Sequence, residues 1–336
     1  MFQDTESLSR GETATLTGKV TKKFLGAYFV DTGDGIVACS ISNRLRKQLI
    51  YPIADLSSIP HHRVQKVKEI DSVDPVAIGD EVEFRPSDDG KGVIVDVLPR
   101  RTRLSRPAAG AKPLEHVIVA NLDQVVAVFA AARPEPKWNL LDRYLVSAES
   151  AALEALICIT KMDIADEDEI DEAMDVYRAL GYTVLLTSAT SGRGIDAFRD
   201  TLAGKTSVFV GKSGVGKSSL LNAIQPGFGA RVGEVSKGKQ GKGKQTTTHM
   251  EMFTLDNGGA LVDTPGIRVF GLWEVDGSDI ALYFREMPPY VTDCQFGATC
   301  AHEHEPGCAV IAAVEAGNIH PRRYESYLRM LNGQLE

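Results

Sequence analysis

The chain has 336 residues, enough for two or three domains, with 43% hydrophobic residues and a formal net charge of −8 at pH 7. No apolar run approaches the ~18 residues of a membrane span, and residues 1–6 hold neither a basic nor an apolar leader, so a cytosolic protein is expected. Overall acidity argues against indiscriminate nucleic-acid binding, yet the first 112 residues carry 17 Lys and Arg against 15 Asp and Glu, leaving the deficit to the remainder.

Five short strand-like runs come first, at residues 14–20, 27–31, 35–39, 81–84 and 92–97. Turn sequences such as Asp31-Thr32-Gly33-Asp34-Gly35 and Asp88-Asp89-Gly90 part them. This spacing predicts an OB-type β-barrel domain over residues 1–106. Lys22, Lys23, Arg44, Arg46, Lys47, Arg63, Lys66 and Lys68 fall on its expected loops, and Phe24, Tyr28 and Phe29 are candidate stacking platforms for RNA bases. A solvated charged face over an ordinary aromatic core explains the same residues, because barrels of this kind also bind proteins. The Arg-rich residues 100–107, followed by Ala108-Ala109-Gly110, read as a basic linker.

From about residue 114 strands and helices alternate, the mark of a parallel α/β sheet, and this second domain is assigned residues 107–273. Residues 124–130 form a continuous apolar run, hence a fully buried strand, and a helical pattern follows over 140–153. The strand at 155–159 runs into Thr160-Lys161-Met162-Asp163. After a helix near 167–180, the strand at 183–186 leads to Thr187-Ser188-Ala189. A carboxylate beyond a strand end can accept hydrogens from N1 and the 2-amino group of guanine, which adenine does not offer; Asp163 suits that role. Lys161 can lie against the ring, and the Ser188-Ala189 backbone can donate to guanine O6. The two segments resemble the [NT]-K-x-D and S-A loops of G proteins.

Next comes Gly211-Lys212-Ser213-Gly214-Val215-Gly216-Lys217-Ser218, which fits the phosphate-binding loop G-x-x-x-x-G-K-[ST]. A short apolar strand at 207–210 precedes it and a helical stretch from Ser218 and Ser219 follows, the context the motif requires. Glycines let the backbone wrap a phosphate with its N–H groups inward, and the helix N-terminus favours the anion. Lys217 is expected on the β- and γ-phosphates and the Ser218 hydroxyl on Mg²⁺. Downstream, Thr246-Thr247-Thr248 resembles a switch threonine segment, and Asp263-Thr264-Pro265-Gly266 fits D-x-x-G. Asp263 is expected to hold Mg²⁺ through water, and the Gly266 N–H to meet the γ-phosphate. The base-reading loops thus precede the phosphate-binding loop, the reverse of the usual order, which predicts a circularly permuted GTPase domain.

Five cysteines, three of them bunched near the C-terminus, fit metal binding better than disulfides in a reducing compartment. Cys294, Cys300, His302 and Cys308 offer three thiolates and an imidazole, a donor set that closes a tetrahedral structural zinc site. His304 competes with His302 as the fourth ligand. The expected helices near 280–285 and 308–317 are too short for a large core, so the metal is expected to supply folding energy to residues 274–336, read as a helical zinc-binding domain.

A barrel, a permuted G domain and a cysteine cluster in that order resemble the small ribosomal subunit biogenesis GTPases of the RsgA (YjeQ/YloQ) family, over nearly the whole chain. The resemblance implies a cytoplasmic, monomeric GTP hydrolase that binds the small (30S) ribosomal subunit and its 16S rRNA late in maturation. Hydrolysis would be stimulated by the subunit and coupled to release, with one structural Zn²⁺ and with Mg²⁺ accompanying GTP. The family writes the end of the cysteine stretch as C-x-H-x-x-E-P-G-C, which residues 300–308 fit with one additional histidine. It also shares an apolar residue, here Ile267, where Ras-like proteins place a water-orienting glutamine, and looks instead to a histidine before the switch threonines. That position is Gln245 here, so Gln245, Lys217 and Thr247 are the candidate catalytic residues. The preceding Lys237, Lys239, Lys242 and Lys244 among glycines suit a polyanion or a plain solvated loop. Two alternatives stand beside this reading: a metabolic P-loop ATPase or kinase, and a nucleotide-gated rRNA-binding protein in which hydrolysis is incidental.

Overall fold

The computed structural model describes residues 14–24, 26–46, 74–107, 115–227, 250–263 and 277–334. The N-terminal strands are β1 (Leu16–Phe24), β2 (Ala27–Asp31), β3 (Ile36–Ile41), β4 (Glu81–Pro86) and β5 (Gly92–Val97), with a short helix α1 (Asn43–Arg46) after β3. They run in the order β1-β2-β3-β5-β4, and β4 pairs back onto β1, so the barrel closes and loses its free edge. Alternate residues point inward, and Val20, Tyr28, Val30, Val82, Phe84 and Ile94 fill the interior. Gly92 is needed where the wall is tightest, because a Cβ there would lie 2.7 Å from Cys39 Sγ and 2.8 Å from Phe84 Cδ2.

Two expectations about the barrel change. β1 runs on to Phe24, so Lys22 and Lys23 are strand residues, and both are paired: Lys22 with Glu251 at 3.0 Å, and Lys23 with Asp74. Tyr28 is buried in the barrel, its hydroxyl bonded to Asp74, and offers no stacking face. Arg44 and Arg46 are exposed as expected; Lys47, Arg63, Lys66 and Lys68 lie outside the described residues.

The Arg-rich stretch is a strand rather than a linker. β6 (Arg103–Pro107) pairs antiparallel with β7 (Glu115–Ala120). Three of its arginines meet carboxylates: Arg100 the buried Asp80 at 2.7 Å, Arg101 Asp123 at 3.2 Å and Arg103 Glu115 at 2.7 Å.

The second sheet contains β8 (Gln124–Ala130), β9 (Glu154–Thr160), β10 (Thr183–Leu186), β11 (Thr206–Val210), β12 (Met250–Thr254) and β13 (Ala260–Asp263). Their order is β10-β9-β8-β11-β13-β12, all parallel but β12. Every residue of β8 is buried, as its apolar run requires. Val125, Ala127 and Phe129 face α2 (Trp138–Ser150) and α3 (Glu167–Ala179). Val126, Val128 and Ala130 face α4 (Ile195–Leu202) and α5 (Lys217–Ile224), so both sides are covered. β12 also pairs with β1, joining barrel and G sheet into one.

The C-terminal unit has a 3-10 stretch over Gly277–Tyr283, then α6 (Pro288–Val291), α7 (Ala309–Glu315) and α8 (Pro321–Leu331). The sequence reading missed α8, which adds Tyr327 and Met330 to the core around the cysteines. α8 also sends the fully buried Arg323 toward the G domain, where it pairs with Asp142 on α2 at 2.8 Å and with Glu286 at 2.7 Å. Asp142 in turn accepts from Tyr177 on α3 at 2.8 Å and from Ser326 on α8. No helix among the described residues is long and apolar enough to cross a membrane.

Candidate functional site

The phosphate-binding loop lies between β11 and α5, at the C-terminal edge of the sheet. Gly211, Gly214 and Gly216 have φ of 150°, 83° and 98°, a region L side chains rarely adopt. A Cβ on Gly211 would also lie 2.3 Å from the Val128 carbonyl oxygen, so the motif's first glycine is fixed by the neighbouring strand. Lys217 folds over its own loop, donating to the carbonyls of Gly211 at 2.6 Å and Lys212 at 2.8 Å. Phosphate oxygens are charged and bind an ammonium more strongly than these neutral carbonyls do.

The base-reading segments meet this loop from the side. Thr160 is buried at the end of β9, and its hydroxyl sits between the carbonyls of Val215 in the loop and Phe129 on β8. Lys161 takes a left-handed conformation, φ 61°, and reaches across to the carbonyls of Gly214, at 2.7 Å, and Arg133. Asp163 is exposed, and its Oδ1 accepts a 2.6 Å hydrogen bond from Ser188 Oγ. Ser188 Oγ accepts in turn from the Ser191 backbone N–H at 3.1 Å. Met162 donates its N–H to the Thr187 carbonyl at 3.2 Å, which ties the two loops together at the backbone.

Thr160, Lys161, Asp163, Ala189, Gly216 and Ser219 line one cleft of about 180 Å³, together with Ile164, Thr190 and Leu220. The last three were not anticipated, although an apolar residue following T-K-x-D is a readable signal. Ile164 is 50% exposed and suits an aromatic base lying flat. The sequence reading also missed the two-pronged pair of Arg193 with Glu167, one contact at 2.7 Å, which straps the Ser188 loop to the start of α3. A larger cleft, about 290 Å³, lies between residues 100–105 and the end of α2. Its arginines are those already paired with carboxylates, so it presents no comparable chemistry.

On the γ-phosphate side the structure places less. Asp263 ends β13 beside β11, as expected, with its backbone alone described. Gln245, Thr246, Thr247, Gly266 and Ile267 lie outside the described residues, as do Lys237, Lys239, Lys242 and Lys244.

The second candidate centre is the buried set Cys294, Cys300, His302 and Cys308, whose ligand atoms all lie within 4.8 Å of one another. His302 Nδ1 stands 3.3 Å from Cys294 Sγ and 3.4 Å from Cys308 Sγ, with 3.7 Å between those two sulfurs. His304 points away, its side chain 81% exposed, so His302 is the histidine of the group. The turn is held from outside the set. Glu305 accepts the backbone N–H groups of Ala301 at 2.6 Å, Glu303 at 2.9 Å and His304 at 3.1 Å. Desolvation opposes its ionisation, but these amides prevail and hold the carboxyl at about 2. Tyr324 and Tyr327 donate to the carbonyls of His302 and Ala301, both at 2.7 Å. Burial pushes the Cys300 thiol up to about 12 and lowers the His302 pKa. Three sulfurs and one imidazole crowded together make a group that could hold one metal ion.

Comparison with known proteins agrees with the nucleotide-binding centre. The RsgA GTPase family model matches residues 97–273. The small ribosomal subunit biogenesis GTPase RsgA of Chlorobaculum tepidum is 42% identical over 331 residues, covering 96% of this chain and 99% of the relative. Its counterpart from Moorella thermoacetica is 41% identical, covering 94% and 96%. Among solved structures, YjeQ from Thermotoga maritima superposes with a TM-score of 0.72 at 32% identity, covering 96% of this chain and 99% of that one. YloQ, described as a circularly permuted GTPase, superposes at 0.68 and 28% identity, with 97% of each chain covered. With the phosphate loop and base-reading loops meeting in one cleft and a family model spanning the G domain, the chain belongs to the RsgA GTPase family.

Proposed function

We propose that this chain hydrolyses GTP on the small ribosomal subunit and assists the subunit's late maturation, the subunit stimulating hydrolysis and hydrolysis driving release. The observation that carries the reading is the cleft where Asp163, Lys161 and Ala189 face Gly216 and Ser219 of the phosphate-binding segment. The names of the relatives supply the ribosomal partner. Asp163, oriented by Ser188, would read the guanine edge, with the Ala189 segment donating to O6. Lys217 would leave the carbonyls of Gly211 and Lys212 for the β- and γ-phosphates, which the backbone of residues 211–219 would cradle. Ser218 and Asp263 would hold Mg²⁺, which neutralises charge on the phosphates. Thr247 and Gly266 would close on the γ-phosphate, and Gln245 would orient the attacking water in line with the departing oxygen.

The metal in the C-terminal unit is read as zinc. Tetrahedral Zn–S bonds of ~2.3 Å place neighbouring sulfurs about 3.8 Å apart, which matches the 3.7 Å between Cys294 and Cys308. Residues 1–106, 107–273 and 274–336 are read as barrel, permuted G domain and zinc unit. Binding to 16S rRNA would draw on exposed barrel cations such as Arg46, since Lys22 and Lys23 are paired and Arg44 meets Asp96 at 2.9 Å.

Turnover of GTP measured with and without purified small subunits tests the whole reading. We expect slow hydrolysis alone and strong stimulation by the subunit. Equal binding of ATP and GTP, or no response to the subunit, would overturn it.

A further inference from the structure

The loop that follows β10 closes on itself before α4 begins. Ser188 donates its backbone N–H to the Arg193 carbonyl at 3.0 Å, and its own carbonyl accepts the Gly192 N–H at 3.0 Å. Its Oγ takes the Ser191 N–H at 3.1 Å. Gly194 brings the far end back against the strand: its φ is 67°, and a Cβ there would lie 2.3 Å from the Leu186 carbonyl oxygen. The Ser188 N–H is therefore used inside the loop. The amides of Ala189 and Thr190, two residues that line the nucleotide cleft, have no acceptor among the described residues.

Arg193, whose carbonyl closes the loop, also fastens it from outside. Its guanidinium meets Glu167, the first residue of α3, with Nη1 donating to Oε2 at 2.7 Å and Nη2 donating to Oε1. Glu167 sits in a capped turn, because the Asp166 side chain accepts the N–H groups of Asp168 and Glu169. The two base-reading segments are thus joined at three places: the Met162 amide on the Thr187 carbonyl, Ser188 Oγ on Asp163, and Arg193 on Glu167. Of these, the third alone uses side chains outside both motifs.

We propose that Arg193 is a positioning residue for guanine recognition: its pair with Glu167 keeps the 188–193 loop closed, so that the amides at Ala189 and Thr190 stay in place for a purine O6. The inference rests on the reading of this cleft as the guanine site. Residues 189–193 are all exposed, and ordering such a segment only on binding would cost affinity. A forked arginine–carboxylate pair fixes orientation as well as distance, which a point charge does not. The recognition it supports is selective, because guanine offers the O6 acceptor where adenine carries an amino donor. The pair lies at the surface, with side chains 39% and 53% exposed, so its effect is modest in size.

Competition of GDP and of ADP against a fluorescent GDP tests this on the full-length, zinc-loaded protein with Mg²⁺. Arg193→Ala should weaken GDP binding by ~2–5-fold, the range a surface pair of good geometry supplies, and leave ADP binding unchanged. The preference for GDP over ADP then narrows by the same factor. Glu167→Ala should do likewise, and the double variant should lose no more than either single change, since both remove one interaction. Equal losses of GDP and ADP would mean that Arg193 merely supports the fold, and would overturn the proposal. So would an unchanged preference, or losses that add in the double variant. In each of these cases a parent that prefers GDP leaves the guanine reading standing. A parent that binds GDP and ADP alike removes that reading, and the role of Arg193 with it.

Discussion

Ser188 holds the Asp163 carboxylate: its Oγ donates 2.6 Å to Asp163 Oδ1 while accepting from the Ser191 amide. An exposed aspartate would otherwise sample several rotamers, so this bond fixes the carboxylate beside the cleft it lines. Ser188→Ala should weaken GTP and GDP binding alike by ~10-fold, the worth of a hydrogen bond to a charged group, with hydrolysis of bound GTP little changed. Asp163→Asn should lower GTP affinity further and admit xanthine nucleotides, because xanthine carries a carbonyl in place of the 2-amino group. Titration with fluorescent guanine and xanthine nucleotides separates these outcomes. Discrimination by a site that pairs with its ligand reaches ~10⁴, so GTP and ATP binding equally well to the parent would sink the assignment.

One zinc should accompany each chain, and Cys300→Ser should release it and destabilise the C-terminal unit while GTP binding persists. Burial has raised the Cys300 pKa. Protons therefore compete with the metal, and zinc retention should weaken as pH falls. Glu305→Gln should loosen zinc by ~10-fold, the usual effect of losing a group that positions a ligand turn. Elemental analysis and a chromogenic chelator measure both. A metal-free protein with an unchanged melting profile would exclude a structural site.

The C-terminal unit should depend on Arg323 as much as on zinc. Its guanidinium is fully buried between Asp142 and Glu286, and removing it leaves Asp142 unpaired in the interior. Arg323→Ala should cost about 3–5 kcal/mol, as breaking buried pairs does. The surface pairs of Arg178 with Asp171 and Asp175 should together be worth about 1 kcal/mol or less when Arg178→Ala is made. Urea unfolding of the two variants compares them directly. Similar losses for both would mean that Arg323 is not the lock between the unit and helices α2 and α3.

What could be read from the sequence was local. The glycines of residues 211–216, Thr160 to Asp163 and the cysteine spacing each pack their chemistry into a few residues, and the folded chain brings the first two together in one cleft. The barrel strands and the buried β8 followed from turn residues and apolar runs. What was missed depends on partners far along the chain: Lys22 with Glu251, Asp142 with Arg323, and β6 with β7 across intervening residues. Nothing in the periodicity of residues 100–107 says that their arginines will find Asp80, Asp123 and Glu115 and become a strand. Tyr28 is a different case. The alternation of Tyr28 and Val30 against Phe29 marked it as inward-facing, and the aromatic was read for its ring before its register.

The catalytic step is the last test and bears on residues outside the described structure. Ile267 follows D-x-x-G and cannot orient a water, so the chain's own site lacks the group that Ras-like proteins use. Gln245 precedes the switch threonines and can orient a water through its amide, but it cannot accept a proton as a base. The lysines at 237, 239, 242 and 244 precede it without an acid among them, which suits an RNA phosphate surface. Engagement of that stretch by the subunit would set Gln245 and Thr247 at the γ-phosphate. Completing such a site in trans is worth ~10³–10⁵ in rate for G proteins, and the low end is expected here. Stimulation should fall steeply as salt is raised, because each phosphate contact releases counterions. Gln245→Ala should reduce the stimulated turnover by at least ~10-fold while leaving GTP affinity nearly unchanged, the pattern of an interaction made only in the transition state. If that variant is stimulated as fully as the parent, the water is positioned by the backbone or by the ribosome, and Gln245 has no catalytic part.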